Sequence, residues 1–329
     1  MPPRVAHVDT ERGWRGGQAQ LDLFLRATAG RLEHHLLVPA RSPWIQRAPE
    51  GVTVHPLPLR GRWLGARALR RRIRALAPQV VGVHTAHALA LVDSGPLVVH
   101  RRVDFLPSRR ALARMARARA VLAVSDAVAE LLRRRGVLRV RVVYDGVDHE
   151  VPLAPAPPRP HLVAVGALVA HKDHATLLDA MRRVPVSLDV VGEGPLRARL
   201  ERRCRRWGLD GRVRLVGQVD DVPARLARAT ALVHPSREEG LGQVVLEAMA
   251  RGVPVVATRA GGLPEGVDGD GVLVPPRDPE ALAGALRGML AEHERFRRHL
   301  ASVRDRRARR FGVPAMVEAT LAAYLRAAG

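Results

Sequence analysis

Short apolar runs dominated by Val and Leu recur along the whole chain, separated by longer stretches in which apolar positions return at helical spacing. A short continuous apolar run fits a strand buried on both faces of a parallel sheet, and alternation of such strands with helices is the βαβ pattern. The first half predicts strands at 4–8, 34–39, 52–57, 80–84, 97–100, 120–124 and 140–144, with helices over 17–30, 63–76, 109–118 and 126–135. Residues 152–160, PLAPAPPRP, then place five prolines in nine positions. Proline fixes φ and removes a backbone donor, so this stretch predicts an extended linker and a domain boundary. The alternation restarts with strands at 161–167, 186–192, 212–217, 231–235, 253–258 and 271–276, and helices over 174–183, 195–207, 222–229, 242–251 and 279–291. The expected fold class is α/β, with two tandem Rossmann-like doubly wound domains at 1–151 and 161–310 and a last helix over 311–329. Such sheets bind ligands outside the carboxyl ends of their strands, so a central cleft between the domains is the expected ligand site.

Composition narrows the function. A chain of 329 residues with 47% apolar content is large enough for two cores. The opening residues MPPRVAHVDTERGWRGG show no charged segment followed by an apolar run, and no stretch of about 18 apolar residues occurs. A cytoplasmic protein is therefore expected. The single Cys204 has no partner for a disulfide or a zinc site and reads as an inert helix residue. A net charge of +22 attracts phosphates, whether in nucleic acid, anionic lipid or a small anionic substrate. Nucleic acid is disfavoured, because aromatics make up only 3% of the chain and no zinc-finger, helix-turn-helix or RNP-like pattern accompanies the charge. Lys172 is the only lysine, which reads as broad replacement of Lys by Arg. The basic stretches RWLGARALRRRIRALA (62–77) and SRRALARMARARA (108–120) fit helices with one face on a sheet. They also fit peripheral contact with an anionic membrane, where each cation adds about 1 kcal/mol.

The densest chemistry lies in HPSREEGLGQVVLEAMARGVPVVATRAGGLPEGV, 234–267. A buried strand ends, a loop follows, and a helix starts near Gly242. Glu239 lies in the loop and Glu247 inside the helix, so both can address one ligand laid across the helix N-terminus. Gly240 and Gly242 let backbone amides approach that ligand, and unpaired amides there favour anions. Glu247 sits within VVLEAMA, where a carboxylate among apolar neighbours needs a partner.

These residues resemble the retaining glycosyltransferases of family 4, which have the two-domain GT-B fold, and the resemblance spans most of the chain. Its most specific element is the pair of glutamates with seven residues between them in PSREEGLGQVVLEAMARGVPVVAT, followed by GGLPE. The resemblance implies that Glu239, helped by the amides of Gly240, Leu241 and Gly242, contacts hydroxyls of the donor sugar. It implies that Glu247 holds the nucleotide ribose. VGALVAHKDHATLLDAM resembles the family segment that sets an Arg and, five residues later, a Lys over the donor diphosphate. Lys172 matches the lysine, and Ala167 stands where the arginine is usual. Arg237, Arg259 and an arginine of the first domain remain open as substitutes. A compact ammonium suits the space beside a pyrophosphate leaving group better than the wide guanidinium fork.

RGGQ resembles the family's N-terminal loop, with Gly16 and Gly17 approaching the diphosphate or acceptor. GQVDDVPARLARA resembles the loop beside the base, with the backbone of Gly217 to Val219 as its contact. VVHRRVDF occupies the place of a strand-end histidine near the reacting sugar, which makes His100 a catalytic candidate. Arg101, Arg102, Asp104 and His84 are acceptor-side candidates, with His87 behind them. The resemblance further implies an acceptor-side first domain, a nucleotide-sugar-binding second domain, and a last helix that packs back on the first. It implies no required metal and no cofactor, the sugar nucleotide being substrate. Two metal-like patterns are set aside: Asp268 to Asp270 lies in a Gly-rich turn, and a cation at His171 and His174 would repel Lys172.

The function implied is transfer of a hexosyl group, with retention, from a nucleoside-diphosphate sugar to a lipid-linked or cell-envelope saccharide, as in polysaccharide biosynthesis. The implied location is the cytoplasm, in peripheral contact with the inner membrane face. A nucleotide-sugar 2-epimerase and a non-catalytic sugar-nucleotide-binding protein are the alternatives. The first needs an acid and base carboxylate pair with no clear place, and the second follows from Ala167.

Overall fold

The apolar runs of the first half become the strands of one parallel sheet, and those of the second half become another. The structure, a computed structural model, describes residues 1–59, 62–92 and 95–329. Its described residues divide into two compact units, Met1–Gly146 with Val313–Gly329, and Val147–Gly312.

The first unit holds β1 (Arg4–Val8), β2 (Glu33–Pro39), β3 (Thr53–Leu57), β4 (Val80–Val83), β5 (Leu97–Arg101), β6 (Ala120–Ala123) and β7 (Val140–Val142). Their order is β3-β2-β1-β4-β5-β6-β7, with every pairing parallel. The strand order reverses between β1 and β4, the position where a doubly wound sheet opens a crevice at its carboxyl edge. The helices are α1 (Gly16–Ala27), α2 (Trp44–Arg47), α3 (Arg62–Leu76), α4 (Ala86–Leu91), α5 (Arg109–Arg117) and α6 (Asp126–Arg133). Val5, Leu36, Val80, Val98 and Leu122 pack in one cluster with Leu21, Phe24 and Leu25 of α1.

The second unit repeats the plan with β8 (His161–Val165), β9 (Ser187–Val191), β10 (Val213–Gly217), β11 (Ala231–His234), β12 (Val255–Thr258) and β13 (Val272–Val274), in the order β10-β9-β8-β11-β12-β13. Its helices are α7 (His174–Met181), α8 (Arg197–Arg206), α9 (Val222–Ala227), α10 (Gln243–Ala250), α11 (Leu263–Val267), α12 (Pro279–Ala291), α13 (His293–Ser302) and α14 (Arg304–Phe311). Two clusters fill this unit, one built on Leu177, Leu178, Leu188 and Leu286, the other on Val245, Met249, Val255 and Leu263. Residues 152–160 are extended coil inside this unit, where the Ala154 amide donates to the Arg251 carbonyl at 2.8 Å.

The last helix, α15 (Val313–Ala328), belongs to the first unit. It lies against α1 and β4 to β6, burying Met316, Val317, Leu321 and Tyr324.

The α/β doubly wound class expected from the pattern is the class observed. The differences are the short helices α2, α4 and α11, which span too few residues to show a helical period, and α13 and α14. The last two are so rich in arginine that their apolar stripe nearly vanishes; Leu300 and Phe311 are the apolar residues they bury. Arg307 joins them, fully buried against Asp270 at 2.9 Å.

Candidate functional site

In the second unit the chemistry gathers at the carboxyl ends of β8 and β11. β11 ends in the buried His234, and the chain then crosses Pro235 and Ser236 to the Glu239 loop before α10 begins. The loop turns on Gly242, whose φ of +90° is a conformation that side chains rarely adopt, and a Cβ there would meet Leu263 Cδ2 at 2.7 Å. β8 ends near Gly166. After it a 3-10 turn, Ala170–Lys172, delivers Lys172 just ahead of α7, with Asp173 left-handed at φ 48°. A Cβ on Gly166 would stand 3.5 Å from Lys172 Cδ, so the lysine stem lies close over that glycine.

One carboxylate oxygen organises the site. Glu239 Oε2 accepts from Lys172 Nζ, from His234 Nε2 at 2.7 Å and from the Ser236 hydroxyl at 3.4 Å. Because a carboxylate only accepts, His234 carries its proton on Nε2. Lys172 and Glu239 side chains keep only 19% and 15% exposure. Burial alone would raise the Glu239 pKa, but the His234 hydrogen bond and the electrostatic attraction of His234 and Lys172 outweigh it and hold the carboxyl well below the usual range. Thr258, at the end of β12, donates to the Ser236 carbonyl and fixes the loop from beneath. His174, the first residue of α7, is buried, and desolvation with the nearby His234 lowers its pKa to about 4, so it is neutral beside Lys172.

Arg237 ties the two loops together. Its backbone amide donates to the His171 carbonyl at 2.7 Å, its guanidinium donates to the Ala170 carbonyl, and its Nε lies 3.7 Å from Asp173 Oδ2. Ala167 is exposed just past β8, and Arg259 is exposed just past β12. Glu247 projects from the second turn of α10, half-buried, and accepts from Gln243 Nε2 at 2.8 Å. Gly240 and Leu241 are buried in the loop. Gly217 closes β10 with φ +87°, where a Cβ would lie 2.9 Å from Glu193 Oε1, and Val219 follows half-buried.

In the first unit Gly16 and Gly17 open α1, and a Cβ on Gly17 would come within 3.9 Å of Arg102. Arg102 Nε donates to Asp145 at 3.1 Å. His100, on β5, lies 2.9 Å from the Tyr324 hydroxyl by its Nε2 and stacks on His84 at 4.3 Å between ring centroids. His84 Nε2 is 3.1 Å from His7 Nδ1, and His7 Nε2 is 3.0 Å from His34 Nδ1. Burial holds His7, His84 and His100 well below the ordinary histidine range. Arg101 turns into its own loop, over the Phe105 ring and onto the Phe105 carbonyl, and burial lowers its pKa to about 10. Asp104 stands half-buried nearby, and His87 is exposed on α4.

Several residues in these arrangements carried no separate signal in sequence. His234 and Ser236 sit inside the quoted motif, but only folding puts them on Glu239. Asp9, which accepts from Trp44 Nε1 at 2.7 Å and from Gln18, and Tyr324 are likewise visible only in three dimensions. Asp268 and Asp270 face arginines, accepting from Arg306, Arg307 and Arg310. Among the described residues no group of three His, Cys, Asp or Glu side chains could hold a metal, and no helix is long and apolar enough to cross a membrane.

Comparison with known proteins places the chain. A family model described as Glycosyltransferase Family 4 matches residues 12–151, and one described as Glycosyl transferases group 1 matches residues 159–292. The chain belongs to the family 4, group 1 glycosyltransferases. Over 138 residues this family 4 chain is 37% identical to the lipopolysaccharide core biosynthesis glycosyltransferase LpsE of Rhizobium meliloti, covering 41% of the chain and 40% of the relative. Over 217 residues it is 34% identical to the glycogen synthase of Mycobacterium tuberculosis, covering 62% and 52%. It thus spans about half or less of the length of these curated relatives. Among solved structures, Anabaena HepE in complex with UDP-glucose matches with a TM-score of 0.84 at 21% identity, over 97% of this chain and 99% of that one. Sucrose-phosphate synthase from Thermosynechococcus elongatus matches with a TM-score of 0.84 at 21% identity, over 99% and 100%. These likenesses show the GT-B fold.

Proposed function

We propose that this family 4 chain transfers a hexosyl group from a nucleoside-diphosphate sugar to a saccharide hydroxyl, with retention at the anomeric carbon and without a metal. The carrying observation is the joining of Lys172, His234 and Ser236 on one oxygen of Glu239, beside the N-terminus of α10. Breaking the glycosidic bond leaves charge on the departing diphosphate. Lys172, the N-terminal amides of α10 and Arg237 supply positive charge in the place where a metal ion would otherwise act. Arg237 takes the part of the arginine that Ala167 lacks. Glu239, held ionised, accepts hydrogen bonds from sugar hydroxyls and donates no proton. Glu247 takes the ribose hydroxyls, Gly217 and Val219 border the base, and the Gly16 and Gly17 turn adjoins the diphosphate. His100 contacts the sugar, with Arg102 and His84 beside it.

A lipid-linked or cell-envelope saccharide is the acceptor of this reading. Two features support it: the LpsE relative, and the exposed Trp63 (85%) and Leu64 (75%) at the start of the arginine-rich α3. An amphipathic ring and a leucine among cations suit an anionic lipid surface.

The test is a thermal-shift panel of UDP, GDP, ADP and CMP sugars on the whole chain, followed by donor turnover with and without EDTA. One donor class should raise the melting temperature, and its turnover should survive EDTA and keep the anomeric configuration. Stabilisation by none of them, or an inverted product, would overturn this reading.

A further inference from the structure

Tyr324 stands in α15, 224 positions beyond His100, and its hydroxyl lies 2.9 Å from His100 Nε2. Its ring is buried, 5.4 Å between centroids from Phe24 and 5.6 Å from His7. Room for the hydroxyl is made on β4, because a Cβ at Gly82 would sit only 2.2 Å from the tyrosine oxygen. Among the described residues, His100 is the only hydrogen-bond partner of that hydroxyl, and Tyr324 is the only hydrogen-bond partner of the His100 ring.

The direction of this hydrogen bond follows from donor accounting. Desolvation pushes the phenol well above its ordinary pKa, so the oxygen keeps its proton. If His100 donated instead, that buried proton would have no acceptor, which is the costlier arrangement. The hydroxyl therefore donates, and Nε2 is a lone pair. Desolvation, reinforced by the charge of Arg102, also keeps the imidazole neutral, so its single proton sits on Nδ1.

We propose that Tyr324 is a positioning residue that holds His100 as the Nδ1–H tautomer, so that His100 presents a hydrogen-bond donor to an acceptor oxygen of the bound sugar nucleotide. The identity of that ligand rests on the sugar-transfer reading; the tautomer does not. Arg102 points the same way. It lines a small cavity together with His100, Tyr144 and Asp145, it uses Nε on Asp145, and its Nη1 is buried with no partner among the described residues. Two donor-bearing side chains beside one cavity of about 10 Å³, room for a single water-sized oxygen, suit a ligand oxygen that accepts. On this assignment His100 is not the base that takes a proton from the acceptor hydroxyl.

Long-range proton–nitrogen NMR of the nitrogen-15-labelled whole chain reads the tautomer without any ligand, with His100 assigned by its absence in His100→Gln. The wild-type protein should show a protonated Nδ1 and a bare Nε2. Tyr324→Phe keeps the ring packing and should move both nitrogens toward averaged values, with about tenfold lower donor turnover. His100→Asn, whose amide nitrogen falls near the Nδ1 position, should keep more turnover than His100→Gln. A wild-type proton on Nε2, or a tautomer unmoved in Tyr324→Phe, overturns the assignment. Because the first of these is read on the wild-type chain, an unfolded variant does not rescue it. Failure of every nucleotide sugar to turn over would instead overturn the sugar-transfer reading, with the tautomer still measured.

Discussion

Removing the Lys172 ammonium separates its two roles, one in holding Glu239 and one in meeting the leaving group. In Lys172→Ala, Glu239 keeps its hydrogen bonds from His234 and Ser236, so the carboxylate is not abandoned. A unit charge pair at contact distance is worth about 4 kcal/mol at an effective dielectric constant near 20, most of it offset by desolvation of two partly buried groups. The expected loss of folding stability is therefore about 1–2 kcal/mol, read by urea denaturation. Its pH dependence has a definite sign. The folded-state pKa of Glu239 is depressed, so its contribution is present above the ordinary carboxyl value near 4 and is lost as pH falls below it. Without Lys172 the depression is smaller, and the acid unfolding midpoint should rise. Turnover should fall far more than stability suggests. Loss of one fixed group facing developing charge costs about 3–4 kcal/mol, or 10²–10³ in rate. Lys172→Arg should also impair turnover, because its stem lies over Gly166 and the planar fork needs width that the ammonium does not. If Lys172→Ala kept turnover within about twofold while losing the expected stability, the lysine would be structural and the leaving-group argument would be wrong.

The remaining predictions concern other parts of the molecule. Asp270→Asn should destabilise the second unit by about 3–5 kcal/mol in urea melts, since it strips the counter-charge from the buried Arg307; a change below 1 kcal/mol would refute that pairing. Gly242→Ala should cost about 1–3 kcal/mol, from its positive φ and the clash with Leu263, and should weaken donor binding by displacing the Glu239 loop. His34 and His174 are both held near 4 by burial, so stability should decline as pH falls from about 6.5 toward 4, by up to about 3 kcal/mol for each; flat stability across that range would show that they are charged in the folded state. Trp63→Ser with Leu64→Ser should abolish flotation with anionic liposomes if α3 meets the membrane, and unchanged flotation would point elsewhere.

What the sequence determined by itself is local and periodic. The strands lie where apolar runs predicted them, most plainly the central ones, because a strand buried on both faces needs such a run regardless of its neighbours. The two-sheet α/β class follows from their alternation with helices. The helices α2, α4 and α11, of four to six residues, escaped because so few residues show no clear helical repeat, and α13 and α14 because arginine covers most of their surface. In the site, the Glu239 loop and the Gly242 turn were legible as a motif, since a loop between a strand and a helix is a continuous stretch of chain. Partnership was not. Lys172 and Glu239 are 67 positions apart, and His100 and Tyr324 are 224 apart. Which oxygen collects the lysine, which histidine shares it, and which nitrogen carries a proton depend on donors and acceptors meeting away from water. Only the tertiary structure brings such groups together, because hydrogen bonding between distant residues leaves no period in the chain.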